Sequence, residues 1–199
     1  MPRQFTGAGV LLVKLPYVIL FHSSFRHTYE DLGGGIENED NNDLEKTAKR
    51  EAMEESCGLI YIPDHIRLKL FVNVKGYRCY ILLLNKNIHE HDYFNNYNVI
   101  RRNKMFPGTW QETNRVTYIK ISNILNIVPS HNKYYCKDIH NHTVKIFRRT
   151  IKCVNTLVDS YKLCEKFLRN ILTYKKKIKK HNKFIFITYV IKKIEYHTE

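Results

Sequence analysis

The chain has 199 residues, 43% of them hydrophobic and 13% aromatic, with a formal net charge of +14. That length and apolar content suit one cored domain with an appendage, and no apolar run nears the ~18 residues of a membrane-spanning helix. Lys14 and Pro16 break the N-terminal apolar stretch, no small-residue cleavage site follows it, and Cys57, Cys79, Cys136, Cys153 and Cys164 include no C-x-x-C pair; we therefore expect an intracellular, cytoplasmic protein of a reducing compartment, with no membrane partner.

In chain order, "GAGVLLV" (7–13) and "YVILFH" (17–22) are short aliphatic runs separated by Leu15 and Pro16, and predict antiparallel strands. "SSFRHTYEDL" leads on to three glycines, Gly33 to Gly35. Asn41, Asn42 and Asp43 are good N-cap residues, so a helix is expected from about Leu44 to Cys57, with Gly58 as its stop. "IRLKLFVNV" (66–74) and "YRCYILLLN" (77–85) predict a strand pair turning at Lys75 and Gly76. Residues 85–108 are polar, Asn-rich and without periodicity, and read as a long loop at the rim of a site. "NRVTYIKIS" (114–122) alternates again as a strand should, and 129–143 reads as a second loop. Residues 144–172 place Val144, Phe147, Ile151, Val154 and Val158 at helical spacing and predict one or two helices. "KFIFITYVI" (183–191) reads as a terminal strand or an element packed on the body. The division expected is a domain over 1–143 and a basic, mainly helical segment over 144–199.

The charge is uneven. Residues 145–199 hold 15 Lys and Arg against 4 Asp and Glu, whereas residues 1–144 hold 18 against 15. Lys175, Lys176, Lys177, Lys179 and Lys180 form one run there. Such a run binds nucleic-acid phosphates or is a solvated face, and the abundance of Ile, Lys, Asn and Tyr, as an AT-rich genome would encode, leaves both open.

Against that basic background the acids gather in "GGGIENEDNNDLEKTAKREAMEESCGL" (33–59). On a helix Glu51, Glu54 and Glu55 fall within roughly a 100° arc, and like charges so spaced repel by a few tenths of a kcal/mol per pair. A divalent cation is the simplest compensation. Carboxylates are hard ligands suited to Mg²⁺ or Mn²⁺, a glycine turn lets a carbonyl such as that of Gly34 or Gly35 approach a metal, and Arg50 can hold a carboxylate through a bidentate pair. Such a site bridges a diphosphate and activates a water for attack on phosphorus.

The same stretch resembles the signature of the Nudix hydrolases, G-x5-E-x7-R-E-U-x-E-E-x-G-U, in which U is a bulky aliphatic residue. Gly34 stands at the first glycine, Asp40 replaces the first glutamate, and Arg50-Glu51-Ala52-Met53-Glu54-Glu55 matches the core. Nine residues separate Asp40 from Arg50 where the signature has seven, Ala52 is small for its position, and Ser56-Cys57 fills the single place before Gly58. The resemblance spans about residues 5–130. It implies an α/β/α sandwich around a mixed sheet, and a Mg²⁺- or Mn²⁺-dependent hydrolase of a nucleoside diphosphate derivative. By the same resemblance Glu51, Glu54 and Glu55 are the metal carboxylates, with the Gly34 carbonyl beside them. Glu51 is alternatively the base. Glu112, at the entry to a strand, is the candidate further acid, with Glu90 and Asp92 of "HEHD" (89–92) behind it. Trp110 stacks on a substrate base or packs at a strand edge. The substrate expected is the 5′ cap of mRNA, held through the basic C-terminal segment, or a small nucleotide such as a nucleoside triphosphate, a dinucleoside polyphosphate or ADP-ribose. A non-catalytic RNA-binding module of the same fold is a third alternative, which the intact carboxylates disfavour.

Overall fold

Two apolar runs build the middle of the molecule. In the computed structural model, which describes residues 4–160 apart from 104, 131 and 132, Gly7–Lys14 (β1) and Tyr17–Ser23 (β2) pair antiparallel across Leu15-Pro16. Nearly every residue of β1 is buried, as expected of a strand covered on both faces. Thr28–Glu30 (β3) pairs with β2, and Leu32–Gly35 (β4) pairs with β1, so both extend the sheet before the first helix. Phe71–Val74 (β5) and Tyr77–Leu83 (β6) form the expected hairpin. β6 runs parallel to β1, and Thr113–Lys120 (β7) runs antiparallel to β2. The result is a seven-stranded mixed sheet, with a separate hairpin of Tyr135–Lys137 (β8) and Thr143–Lys145 (β9).

Leu44–Glu55 (α1) starts at Asp43, whose carboxylate accepts the backbone N–H groups of Glu45 and Lys46. Gly58 at φ +77° follows its end and donates its N–H to the Met53 carbonyl. α1 lies on β1 and β4, and its buried face carries Ala48 and Ala52 with Glu51 and Glu55. Small alanines bring the helix close to the sheet. Glu90–Arg102 (α2) covers β7 on the same side, where Tyr93 of α2 meets Phe21 of β2 edge-on at 5.4 Å between ring centroids. Ile121–Leu125 (α3) is a short turn after β7.

The other face of the sheet belongs to residues that alternate with this core. Cys79 and Ile81 point there, and within residues 148–160, which are helical, the buried Ile151, Cys153 and Val154 cover it. The sheet thus has helices on both faces, as an α/β/α sandwich requires. The chain divides into two compact units, 1–154 and 155–199. Of the second, residues 155–160 are described and helical. The expected strand over 183–191 and the lysine run 175–180 lie outside the described residues. No helix among the described residues is long and apolar enough to cross a membrane.

Three expectations are corrected. Residues 129–143 are not one loop, because β8 lies within them and pairs with β9. The segment 85–108 is not one long loop, because α2 occupies most of it; Tyr93, Tyr97 and Ile100 give it a helical stripe that the asparagines between them obscure. Residues 144–146 are not helical. Val144 and Ile146 are buried while Thr143 is exposed and Lys145 half-buried, the alternation of an extended chain, and Ile146 bridges Tyr29 of β3.

β4 crosses β1 with Gly33 opposite Gly9, and their bareness lets Tyr77 reach between them to Asp31 (Oη to Oδ2, 2.7 Å). A Cβ on Gly33 would sit 2.7 Å from Gly9 Cα and 2.8 Å from the Ala8 carbonyl oxygen, besides meeting the Tyr77 hydroxyl. Two of these obstacles are backbone and cannot swing away. Gly33→Ala is therefore expected to destabilise the fold by about 1–3 kcal/mol, read as a fall in the urea midpoint with unchanged m-value.

Candidate active site

Arg50 organises the front of the acidic cluster. Its Nε and Nη2 donate to Asp40 Oδ1 and Oδ2 at 3.1 and 3.0 Å, a bidentate pair. Nη1 donates to Glu51 Oε1 at 3.0 Å and Glu54 Oε2 at 3.3 Å, and Nη2 also reaches the Gly35 carbonyl at 3.0 Å. Asp40 is buried and accepts the Glu37 N–H and the Thr47 hydroxyl as well, both at 2.9 Å. Burial raises its pKa, but these hydrogen bonds outweigh burial and hold it below the usual carboxylate range. The residue that replaces the signature's glutamate thus anchors Arg50 through its charge.

The carboxylates of α1 respond differently. Burial pushes Glu51 up to about 7; Arg50 opposes the shift, while Glu54 and Glu112 add to it. Burial also raises Glu54. Glu55 lies deepest, raised well above its ordinary value by burial and by Glu51. Its Oε2 accepts the Gly33 N–H at 2.6 Å. Gly34 lies directly against Glu51, and a Cβ there would sit 2.7 Å from the Glu51 Cδ. The triple glycine is what allows the acidic face of α1 to press on the strand.

Behind Glu55 stands a second arginine. Arg149 donates from Nη2 to the Gly33 carbonyl at 3.0 Å and pairs with Asp31 at 3.5 Å and Glu30 at 3.8 Å. Its guanidinium lies 4.1 Å from the Tyr77 ring centroid. Burial opposes its charge, yet Asp31, Tyr77, Glu30 and Glu55 hold it protonated. Arg149, Glu30 and Asp31 went unassigned in the sequence because nothing local marks them: Arg149 lies 116 residues from Gly33, among basic residues with no other distinction.

The sequence-assigned residues Arg50, Glu51, Glu54 and Glu55 come together on α1 beside Gly34, and Glu112 contributes to the field at Glu51. Glu112 is exposed immediately before β7, its carbonyl accepting the Ser24 N–H and hydroxyl, each at 2.8 Å. Glu90 and Asp92 lie in the exposed first turn of α2, where Glu90 pairs with His140 at 3.6 Å. Trp110 packs its ring 5.2 Å from that of Phe106, beside Gly58.

The donors fit a hard divalent cation. They are oxygens, and burial first, with neighbouring acids adding to it, raises their pKa values against the pull of Arg50 and Arg149. The three carboxylates do not converge on one point, because Arg50 Nη1 bonds Glu51 and Glu54 together while Glu55 turns to Gly33. That suits an ion which keeps waters and takes few protein ligands directly. Among the described residues, Asp31, Cys79 and Cys153 do bring three ligating atoms within 4.8 Å of one another. However, Asp31 is already engaged by Tyr77, Thr150 and Arg149.

No protein-family model matches the chain, and no curated protein matches it. Solved structures similar to it include the NUDIX domain of Shewanella oneidensis NrtR complexed with ADP ribose, at 16% identity over 65% of this chain and 81% of that one, TM-score 0.39. Another is a hydrolase of the NUDIX family from Clostridium perfringens, at 18% identity over 80% of this chain and 98% of that one, TM-score 0.38. Likeness at these scores carries no weight for the chemistry, which rests on the residues themselves.

The raised carboxylates set a pH dependence. Glu51 ionises near 4.5 in the unfolded chain and near 7 in the fold. Between these values the folded state holds the extra proton, so stability falls as pH rises through that window. In EDTA the melting temperature should decline from about pH 5 to pH 7. Glu51→Gln should flatten the decline, and Mg²⁺ or Mn²⁺ should restore stability above pH 7 by binding the ionised folded form. A wild-type slope unchanged in Glu51→Gln would separate Glu51 from the effect.

Proposed function

We propose that the chain is a Nudix-type pyrophosphohydrolase, dependent on Mg²⁺ or Mn²⁺, that cleaves a diphosphate linkage in a nucleoside diphosphate derivative. The observation that carries this is the packing of Glu51 and Glu55 against the Gly33–Gly34 backbone, with Arg50 holding Glu51 and Glu54 from the front. Nothing in the fold's stability asks for buried, repelling carboxylates, and a divalent cation makes use of them.

Glu51, Glu54 and Glu55, with the Gly34 carbonyl, are the groups that would hold the metal. When bound, it would neutralise charge on the diphosphate and lower the pKa of a coordinated water. Arg50 keeps Glu51 and Glu54 in orientation while drawing its own rigidity from Asp40. Glu51 is alternatively the base that takes a proton from the attacking water. Glu112 supplies a further acid from the turn immediately before β7. Trp110, on the turn beside α1, is the residue assigned to the substrate base.

Within this class we favour the 5′ cap of mRNA, because the basic residues 145–199 offer charge for a long RNA body. The small-nucleotide alternative needs no such segment.

Glu55→Gln keeps the shape and an acceptor for the Gly33 N–H but removes the charge. It should lower kcat on the true substrate by on the order of 10²-fold or more, with the fold intact by circular dichroism. Glu112→Gln should lower it less. A substrate panel with Mg²⁺ and Mn²⁺, spanning capped RNA, nucleoside triphosphates, dinucleoside polyphosphates and ADP-ribose, identifies the substrate. Near-normal metal-dependent turnover by Glu55→Gln would remove the site assignment, and no turnover across the panel would favour a binding module.

A further inference from the structure

A cavity of about 620 Å³ opens between the turn after β2, strand β7 and the β8–β9 hairpin, on a part of the surface that the acidic cluster does not occupy. His22, His27, Tyr29, Arg115, Tyr135 and Lys145 are among its walls. A second cavity of about 410 Å³ adjoins it, sharing Tyr29, Arg115, Asp138 and His142. Together they form a trough along one end of β7, large enough for a nucleotide and far larger than a phosphate ion.

Two cations, Arg115 and Lys145, and two acids, Asp138 and Glu90, stand on its walls. Arg115 is exposed and, among the described residues, makes no ion pair; nor does Lys145. The acid common to both cavities, Asp138, is already occupied. Its Oδ1 accepts the backbone N–H groups of His140 and His142 at 2.9 and 2.8 Å, and its Oδ2 faces the Thr117 hydroxyl at 3.3 Å and His142 Nδ1 at 3.5 Å. Glu90, in the second cavity, pairs with His140. Aromatic surface stands beside the cations: the His22 and Tyr29 rings lie 5.0 Å apart, and Tyr135 is 44% exposed.

Cations that track phosphates, alternating with flat rings on which bases stack, are the chemistry by which proteins hold single-stranded nucleic acid. In the chain, Arg115 follows Glu112, the candidate further acid, by three residues, with Glu112 immediately before β7 and Arg115 within it.

We propose that this trough binds a single-stranded polynucleotide, its phosphates on Arg115 and Lys145 and a base against Tyr29 or Tyr135, as the continuation of the molecule whose diphosphate the acidic cluster cleaves. The proposal deepens the hydrolase reading and rests on it for the word "continuation"; the binding itself does not require turnover. It is independent of the C-terminal lysine run, since every residue named lies before 146.

The test measures binding of the full chain to a fluorescent, uncapped single-stranded RNA of about ten nucleotides, in EDTA, so that its outcome is separate from that of the hydrolysis assays. Carbethoxylation of the exposed His27 and His142 is followed by mass spectrometry in the same samples. Bound RNA should protect both histidines. Arg115→Gln combined with Lys145→Gln should weaken binding roughly tenfold or more and lower the log–log salt slope by about one per lost phosphate contact. RNA that binds without protecting His27 and His142, and with unchanged affinity in the double variant, would overturn the proposal by placing the contact elsewhere. Protection by free AMP at the concentration that suffices for the RNA would overturn the polynucleotide assignment in favour of a mononucleotide site. A single-stranded DNA of the same length, binding as well as the RNA, supports a phosphate-and-stacking mode of recognition.

Discussion

The peptide unit of Gly33 joins the two halves of the site. Its N–H donates to Glu55 on α1, and its carbonyl accepts from Arg149. One strand residue therefore connects an acid that needs desolvation relief to a cation that needs the same. Burial and Glu51 raise the pKa of Glu55 and Arg149 opposes them, while Arg149 itself is paired with Asp31 and Glu30. With both present, the helix can press its carboxylates on the sheet.

Arg50 performs the corresponding task at the front, but with different partners. Asp40 fixes it with two parallel hydrogen bonds, and a guanidinium so pinned presents its remaining nitrogen to Glu51 and Glu54 at defined positions. A lysine could not do this, because an ammonium has no planar fork. The acidic cluster is therefore held between two arginines of unequal character. Both are partly buried; Arg149 faces β3, β4 and Glu55, whereas Arg50 lies beside Glu37 and Glu39.

The part of this arrangement legible in the sequence is the part written locally. The helix from Leu44, its acidic face, the partnership of Arg50 with carboxylates and the strands bracketing the box all follow from residues a few positions apart. Asp40 was identifiable by position, and its anchoring of Arg50 needed only a ten-residue span. What sequence could not show is built from distant pieces or blurred composition. Arg149 and Asp31 meet across 118 residues. α2 was hidden because Asn95, Asn96 and Asn98 interrupt a stripe made of tyrosines instead of aliphatics. β8 and β9 are three residues each, too short for alternation to declare itself.

The position of Arg149 also bears on where this protein can be cut. A truncation after residue 143 keeps the whole glycine–glutamate stretch and looks, on paper, like a minimal catalytic fragment. It would discard the cation that neutralises Glu30 and Asp31, the Thr150 hydroxyl that donates to Asp31, and the apolar cover of Ile151, Cys153 and Val154. Asp31 would remain buried without its cation, and Glu30 would keep Arg26 alone. A fragment meant to isolate the chemistry from the basic C-terminal residues has to extend past Val154, so the boundary useful to an experimenter lies inside a helix and not at the change in composition that precedes it.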